Sequence, residues 1–219
     1  MIQPASYSSR KQVLQNFRTR SLLEATRKVI AAGGFDAVTM ERVGAAAGMT
    51  KGGIYLYFRS KEHLIVAAIE EIASEMLRQI EAQVDLKASP WERLCQTIRA
   101  QLEIMEEQKD LLRVLLLDRR LLRDSPKGKQ ARRLLKYRER HEGRLKNMLD
   151  EGIRQRAFPP MDTSLAAFYL NEMTISTAQK RMMGLSPRPL NEDAHGLIGI
   201  VALFLRAKHH GPRKSGVAR

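Results

Sequence analysis

The sequence predicts an all-α protein with about nine helices. Apolar residues recur at spacings of three and four along nearly the whole chain, which is the pattern of helices with one buried face. No run shows the alternation of apolar and polar residues that marks a half-buried strand. Glycines, prolines and capping residues separate the apolar runs at intervals of helix length. Each helix can therefore be placed in turn.

The first helix is predicted from about Phe17 to the pair Gly33-Gly34. Leu22 and Val29 lie on its apolar face, and the two glycines end it because they favour the conformation found after the last helical residue. A short helix is expected from about Thr39 to Ala47.

Gly48 breaks that short helix, and another is expected from Thr50 to about Leu56. Ser60 is a good N-cap for the long helix that follows. Ser89 to Glu92 forms a capping-box signal with proline at the first helical position. The apolar run Leu111–Leu117 predicts a further helix.

The chain from Lys129 onward predicts three more helices. A basic helix is expected over about Lys129–Arg156, ended by Pro159-Pro160. Asp162 is expected to cap the next helix and Asn191 the last one. We expect the nine final residues, 211–219, to be a disordered basic tail.

Charge and cysteine content restrict the classes of function. The 219 residues (24.9 kDa) contain 38 basic and 24 acidic side chains, a net charge of +14, so an anionic partner is expected. Nucleic acid is the leading candidate and a membrane surface the second. The single Cys95 excludes an internal disulfide framework and a multi-cysteine zinc site, and it fits a cytoplasmic location. The longest apolar stretch, Leu197–Leu205, is too short to span a bilayer.

The two short helices, Thr39 to Phe58, carry the most informative pattern. Gly48 lies where the chain must reverse within a few residues, and glycine accepts the left-handed conformation that such a turn needs. Lys51 begins the second helix, where Gly52 and Gly53 remove side-chain bulk beside free backbone N–H groups. This arrangement is typical of a DNA-reading helix-turn-helix, whereas a plain helical hairpin would not need it.

Residues 20–69 resemble the N-terminal domain of the tetracycline-repressor (TetR) family. The resemblance rests on the following segments: Ala31–Phe35, Thr39, Val43–Tyr55, Tyr57-Phe58 and Ser60–Glu62. It implies a three-helix DNA-binding domain followed by a larger helical domain that binds an effector and dimerises. We therefore expect a helix-turn-helix domain with a basic N-terminal arm at 1–65, an effector-binding and dimerisation domain at 66–210, and the tail at 211–219.

The resemblance also implies which residues contact DNA. They are Thr39, Arg42, Thr50, Lys51, Gly52, Gly53, Tyr55, Leu56, Tyr57 and Lys61. Lys61 would bind phosphate, and Lys51 could reach guanine. No Arg, Asn or Gln stands on the reading helix, so much of the specificity is expected to come from DNA shape and site spacing.

The basic arm offers further candidates for DNA contact. Its residues, Arg10, Lys11, Arg18 and Arg20, either touch phosphates or the minor groove, or are simply solvated.

The second domain is expected to form a homodimer through its last two helices, about Asp162–Gly184 and Asn191–Lys208, although their wide apolar faces also fit a buried core. The resemblance implies an effector pocket, for which the candidates are Trp91, Cys95, Met105, Tyr137, His141, Tyr169, Asn171 and Met173. Plain core packing is the alternative for each. The Arg-rich stretch 119–140 is a solvated face, a site for an anionic effector such as an acyl-coenzyme A, or a second nucleic-acid or membrane contact.

The resemblance implies a repressor that a small-molecule effector, apolar or anionic, releases from a palindromic operator. An activator, or a global nucleoid-type DNA binder with the same reading head, is the alternative. We expect no cofactor, no metal and no membrane partner. An enzyme is disfavoured, because no zinc-protease, serine-hydrolase, phosphate-loop or dinucleotide motif is present.

Overall fold

A computed structural model describes residues 7–117 and 129–206, and within these ranges it contains helices and no strand. The nine helices of the described ranges are α1 (Tyr7–Gly33), α2 (Met40–Ala46), α3 (Lys51–Tyr55), α4 (Lys61–Ala82), α5 (Pro90–Glu107), α6 (Lys109–Leu117), α7 (Lys129–Arg154), α8 (Thr163–Met182) and α9 (Leu190–Arg206). The predicted all-α class is confirmed. The predicted tail, 211–219, and residues 119–128 of the Arg-rich stretch lie outside the described residues.

Helix α1 begins ten residues before the predicted start at Phe17, so that start is wrong. The prediction relied on a buried apolar face, and residues 10–17 have none because all of them are exposed. The segment contains no glycine or proline, so nothing in it breaks the helix. The four basic residues of the predicted arm therefore lie on α1 itself.

The predicted N-caps are confirmed at several helices. The Thr39 hydroxyl accepts a hydrogen bond from the Arg42 N–H at 3.0 Å. Ser60 accepts one from the His63 N–H at 3.2 Å, and Asp162 caps α8 by accepting the N–H groups of its first turn at 3.0 Å.

The capping box at the start of α5 is also confirmed. The Ser89 N–H donates to the Glu92 carboxylate at 3.0 Å, and the Glu92 N–H donates back to the Ser89 hydroxyl at 3.3 Å. Local hydrogen bonds of this kind set where the helices begin.

The prediction that Asn191 caps the last helix is wrong, because α9 already begins at Leu190. The carbonyl of Pro189 accepts the N–H groups of Glu192 and Asp193 at 3.1 and 3.3 Å. Because the Pro189 carbonyl accepts these first helical hydrogen bonds, the helix begins before the better capping side chain.

Within the described residues, the chain forms two compact units. The first extends to Met76 and includes Gln108–Tyr137, and the second comprises Leu77–Glu107 and the chain from Arg138 onward. In the first unit, α1 packs on α2 and α6, and α2 packs on α3. In the second unit, α5 packs on α8 and α9. None of the described helices has a stretch long and apolar enough to cross a bilayer.

Candidate nucleic-acid interface

A tight turn joins α2 to α3. Gly48 has a φ of +66°, a conformation that side chains rarely adopt. The Met49 N–H returns to the Gly44 carbonyl at 2.8 Å, and a Cβ on Gly44 would lie 3.0 Å from the Met49 backbone oxygen. Both glycines are therefore required by the backbone path that brings the two helices together.

Apolar packing holds this pair of helices rigidly. Val43 of α2 and Ile54 of α3 are fully buried, and Phe58 is nearly so. They join the core of the first unit with residues of α1 and α4 such as Leu22 and Leu64. Because one face is buried in this way, the opposite face of α3 points to solvent in a defined orientation.

The residues predicted to contact DNA lie on or beside this exposed face. Arg42, Lys51, Gly52, Tyr55 and Leu56 are exposed, and Leu56 is 82% exposed. An apolar residue so open to water fits a surface that is covered in a complex.

Most of the remaining predicted DNA contacts also cap a helix or are partly buried. Thr39 and Thr50 use their hydroxyls as caps, Thr50 accepting the Gly53 N–H at 3.2 Å. Tyr57 and Lys61 are half-buried, and Tyr57 packs against the core. The assignment of all ten residues to DNA contact stays a prediction.

Sequence reasoning missed Glu41, which forms an ion pair with Lys51 and so links the first turns of α2 and α3. The pair lowers the pKa of the Glu41 carboxyl and raises that of the Lys51 ammonium, chiefly through the hydrogen bond between them. One signal was available in the sequence, because Glu41 is the only acidic residue from Ala37 to Lys61.

The second unit contains a buried chain of polar side chains around two of the pocket candidates. The His141 ring Nε2 lies 3.0 Å from Gln101 Oε1, and Gln101 donates to Asn171 Oδ1 at 3.1 Å. Asn171 in turn donates to the Glu142 carboxylate at 3.2 Å, which also accepts from Arg138 at 2.8 Å. Sequence reasoning named His141 and Asn171 but missed Gln101, which lies among buried apolar residues of α5.

His141 is neutral because it is buried. Burial lowers the pKa of His141 from 6.5 to about 4, against the opposing effect of the nearby Glu142 charge. The neutral ring then donates from Nε2 to the Gln101 oxygen.

The other pocket candidates differ in burial. Trp91 and Cys95 border an open depression of about 400 Å³ near the start of α5, and burial raises the pKa of the Cys95 thiol. Met105 is buried, whereas the Tyr169 side chain is 52% exposed. Tyr137 and Met173 are half-buried. Their role in effector binding stays a prediction.

Helices α8 and α9 each present an apolar stripe to solvent. The exposed apolar residues of the two stripes are Leu165, Phe168, Tyr169, Ile200, Leu203 and Phe204. On the opposite side of α9, Leu197 and Val201 are buried in the core. Gly196 and Gly199 lie on the exposed side, where an added Cβ would meet nothing within 4 Å. Apolar stripes of this extent are typical of surfaces that another chain covers.

Among the described residues, no group of three or more His, Cys, Asp or Glu side chains is placed to hold a metal ion.

Comparison with known families accounts for both parts of the chain. Residues 22–68 match the family of bacterial regulatory proteins described as tetR, and residues 87–179 match a tetracyclin repressor-like C-terminal domain. The two matches follow each other in the order that the sequence resemblance implies.

Individual relatives are regulators of transcription. The chain is 28% identical over 157 residues to the HTH-type transcriptional regulator YfiR of Bacillus subtilis, covering 70% of this chain and 75% of that protein. It is 34% identical over 80 residues to the HTH-type transcriptional repressor KstR of Mycobacterium tuberculosis, covering 36% of each.

A solved structure has the same fold. The regulator FadR of Bacillus subtilis, crystallised with stearoyl-CoA, superposes with a TM-score of 0.72 over 87% of this chain and 99% of FadR, at 20% identity.

Proposed function

We propose that this chain, which belongs to the tetR family of bacterial regulatory proteins, is a homodimeric repressor that a small-molecule effector releases from an inverted-repeat operator. The chain is a helix-turn-helix transcriptional regulator, as its family and relatives are. The observation that carries the proposal is the capped, rigidly packed α2–α3 pair with Lys51, Tyr55 and Leu56 on its exposed face.

Dimerisation follows from the apolar stripes of α8 and α9. One helix-turn-helix per chain binds weakly by itself, and a twofold dimer brings two of them to successive turns of the same DNA face. In this proposal the stripes of two copies cover each other, and Gly196 and Gly199 allow the helices to approach closely.

The effector in this proposal is an acyl-coenzyme A. The support is the match of residues 87–179 to a repressor-like C-terminal domain and the fold shared with FadR, which was crystallised with stearoyl-CoA. Effector binding in the second unit moves α4, which begins in the first unit and ends in the second. The dimer has one state in which its two helix-turn-helix units match the operator and another in which they do not. The effector weakens DNA binding only to the extent that it binds the second state more tightly than the first.

A genomic DNA pull-down with sequencing at about 150 mM salt tests DNA recognition, because that salt suppresses charge-driven sticking. The proposal expects a few sharply enriched sites, each with an inverted repeat. Diffuse enrichment without a repeat contradicts it and favours the nucleoid-type alternative.

The effector is then tested on an enriched site. A series of acyl-coenzyme A compounds of increasing chain length is titrated into the protein–DNA complex, with free coenzyme A as the control. Release by some acyl compounds and not by coenzyme A supports the proposed effector class, and equal operator affinity throughout contradicts it.

A further inference from the structure

Glu41 is an unexpected residue on the surface that we propose faces DNA. It is the only acid from Ala37 to Lys61, a segment that otherwise carries four basic residues. Its side chain is 55% exposed and sits in the first turn of α2. A carboxylate at this place repels the phosphates that the neighbouring cations attract, so it weakens DNA binding unless it makes a favourable contact of its own.

Glu41 also forms an ion pair with the one charged side chain of α3, the helix proposed to read DNA. Lys51 is the only charged residue of α3, and its ammonium is paired with the Glu41 carboxylate. Both side chains are more than half exposed. An exposed pair of this kind changes the ratio of folded to unfolded chains by at most about fivefold, so stability gives little reason for it.

The two groups together match the major-groove edge of one base pair. An ammonium donates to the O6 and N7 of guanine, and a carboxylate accepts from the N4 amino group of cytosine. A G·C pair presents both edges side by side in the groove. The side chains of Glu41 and Lys51 offer these complementary charges from adjacent positions on a surface that is rigid beneath them.

We propose that Glu41 and Lys51 act as one unit that reads a single G·C pair in each half-site. The inference rests on the proposed DNA-reading face and adds a specificity determinant to it. Because the unit carries no net charge, it gains little from phosphates on random DNA and makes its contacts only where the matching base pair is present. It thereby supplies a direct base contact at the start of α3.

The test selects binding sites from a pool of randomised duplexes with the wild-type protein and with E41A, K51A and E24A. E24A is the matched control, since Glu24 forms an exposed ion pair with Lys28 on α1. We expect E41A and K51A to lose the same G·C preference, roughly fivefold to a hundredfold at one symmetric position of the repeat, and to keep the other positions. E24A keeps the wild-type profile.

Affinity measurements separate this reading from a simple electrostatic effect. E41A is expected to bind random DNA about threefold more tightly, with a salt slope steeper by about 0.9, because Lys51 is freed for phosphate. The double variant E41A/K51A is expected to lose no more discrimination than K51A alone. Thermal melts of the wild type and the four variants check that each variant is folded.

The outcomes distinguish the inference from the function on which it rests. If the wild type selects an inverted repeat and E41A selects the same repeat with every preference intact, the inference is overturned. A parallel gain of E41A on selected and random DNA overturns it as well, since Glu41 would then act only as a repelling charge. If the wild type selects no repeat, the proposed function fails first.

Discussion

At the scale of single residues, Lys61 shows how a phosphate contact differs from a base contact. It begins α4 beside the capped turn at Ser60. We expect Lys61→Ala to weaken operator and random DNA equally and to flatten the salt slope by about 0.9, because one cation fewer displaces counterions. Binding isotherms at four salt concentrations check this, and an unchanged slope would remove Lys61 from the phosphate contacts.

His141 makes stability depend on pH. Its pKa is about 4 in the folded chain and 6.5 when unfolded, so the unfolded chain binds more protons between these values. The contribution of His141 to the free energy of unfolding is complete above pH 6.5, and about 3 kcal/mol of it is lost by pH 4. Urea unfolding of wild type and His141→Gln between pH 7 and 5 measures this.

The variant at His141 is expected to show a shallower loss of stability as the pH falls. His195→Gln is the control, because His195 is exposed on α9. Equal pH dependence in wild type and His141→Gln would contradict the assignment of a buried neutral ring.

At the scale of elements, α7 contains two glycines with opposite roles. An added Cβ on Gly143 meets nothing within 4 Å, whereas on Gly152 it would overlap the Phe158 ring. The chain turns back there through Arg156, whose φ is +58°, and the N–H groups of Ala157 and Phe158 return to the Gly152 carbonyl. The end of α7 therefore depends on a position without a side chain.

Alanine substitutions compare the two glycines directly. Gly143→Ala is expected to stabilise the protein by about 0.5–1 kcal/mol, because glycine loses more backbone freedom in a helix than alanine does. Gly152→Ala is expected to destabilise it by about 2–3 kcal/mol through overpacking against Phe158. Chemical denaturation of both variants gives the two values, and equal signs would disprove the role assigned to Gly152.

At the scale of the whole molecule, the apolar stripes of α8 and α9 determine the expected assembly. Leu203 is 74% exposed, and we expect Leu203→Glu to place two like charges in the dimer contact and yield monomers. Operator affinity should then fall at least about tenfold, since each monomer carries a single helix-turn-helix. Light scattering and a binding titration measure both effects.

Val13→Glu is the matched control for the assembly, because Val13 is 65% exposed on α1 and belongs to neither stripe. It should leave the oligomeric state unchanged. A dimeric Leu203→Glu protein would show that the contact lies elsewhere.

Local rules made most of the helices and the helix-turn-helix predictable. Caps such as Thr50 and Asp162 bond to N–H groups within three residues, and apolar residues that share a helix face lie within one or two turns. Both features can therefore be recognised from residues close together in the sequence. The same rules failed for the early part of α1, which is a helix without a buried face. They also failed at Asn191, because the carbonyl of Pro189 accepts the first helical hydrogen bonds and α9 begins at Leu190.

The sequence by itself thus determined the all-α class, most helix ends and the segment that forms the helix-turn-helix, because these depend on contacts between near neighbours in the chain. Only the tertiary structure decided which polar side chains meet. His141 reaches Gln101 across 40 residues, Gln101 reaches Asn171 across 70, and Glu41 reaches Lys51 from another helix. Such pairs depend on how packed helices orient their faces, and no spacing within one helix encodes that orientation.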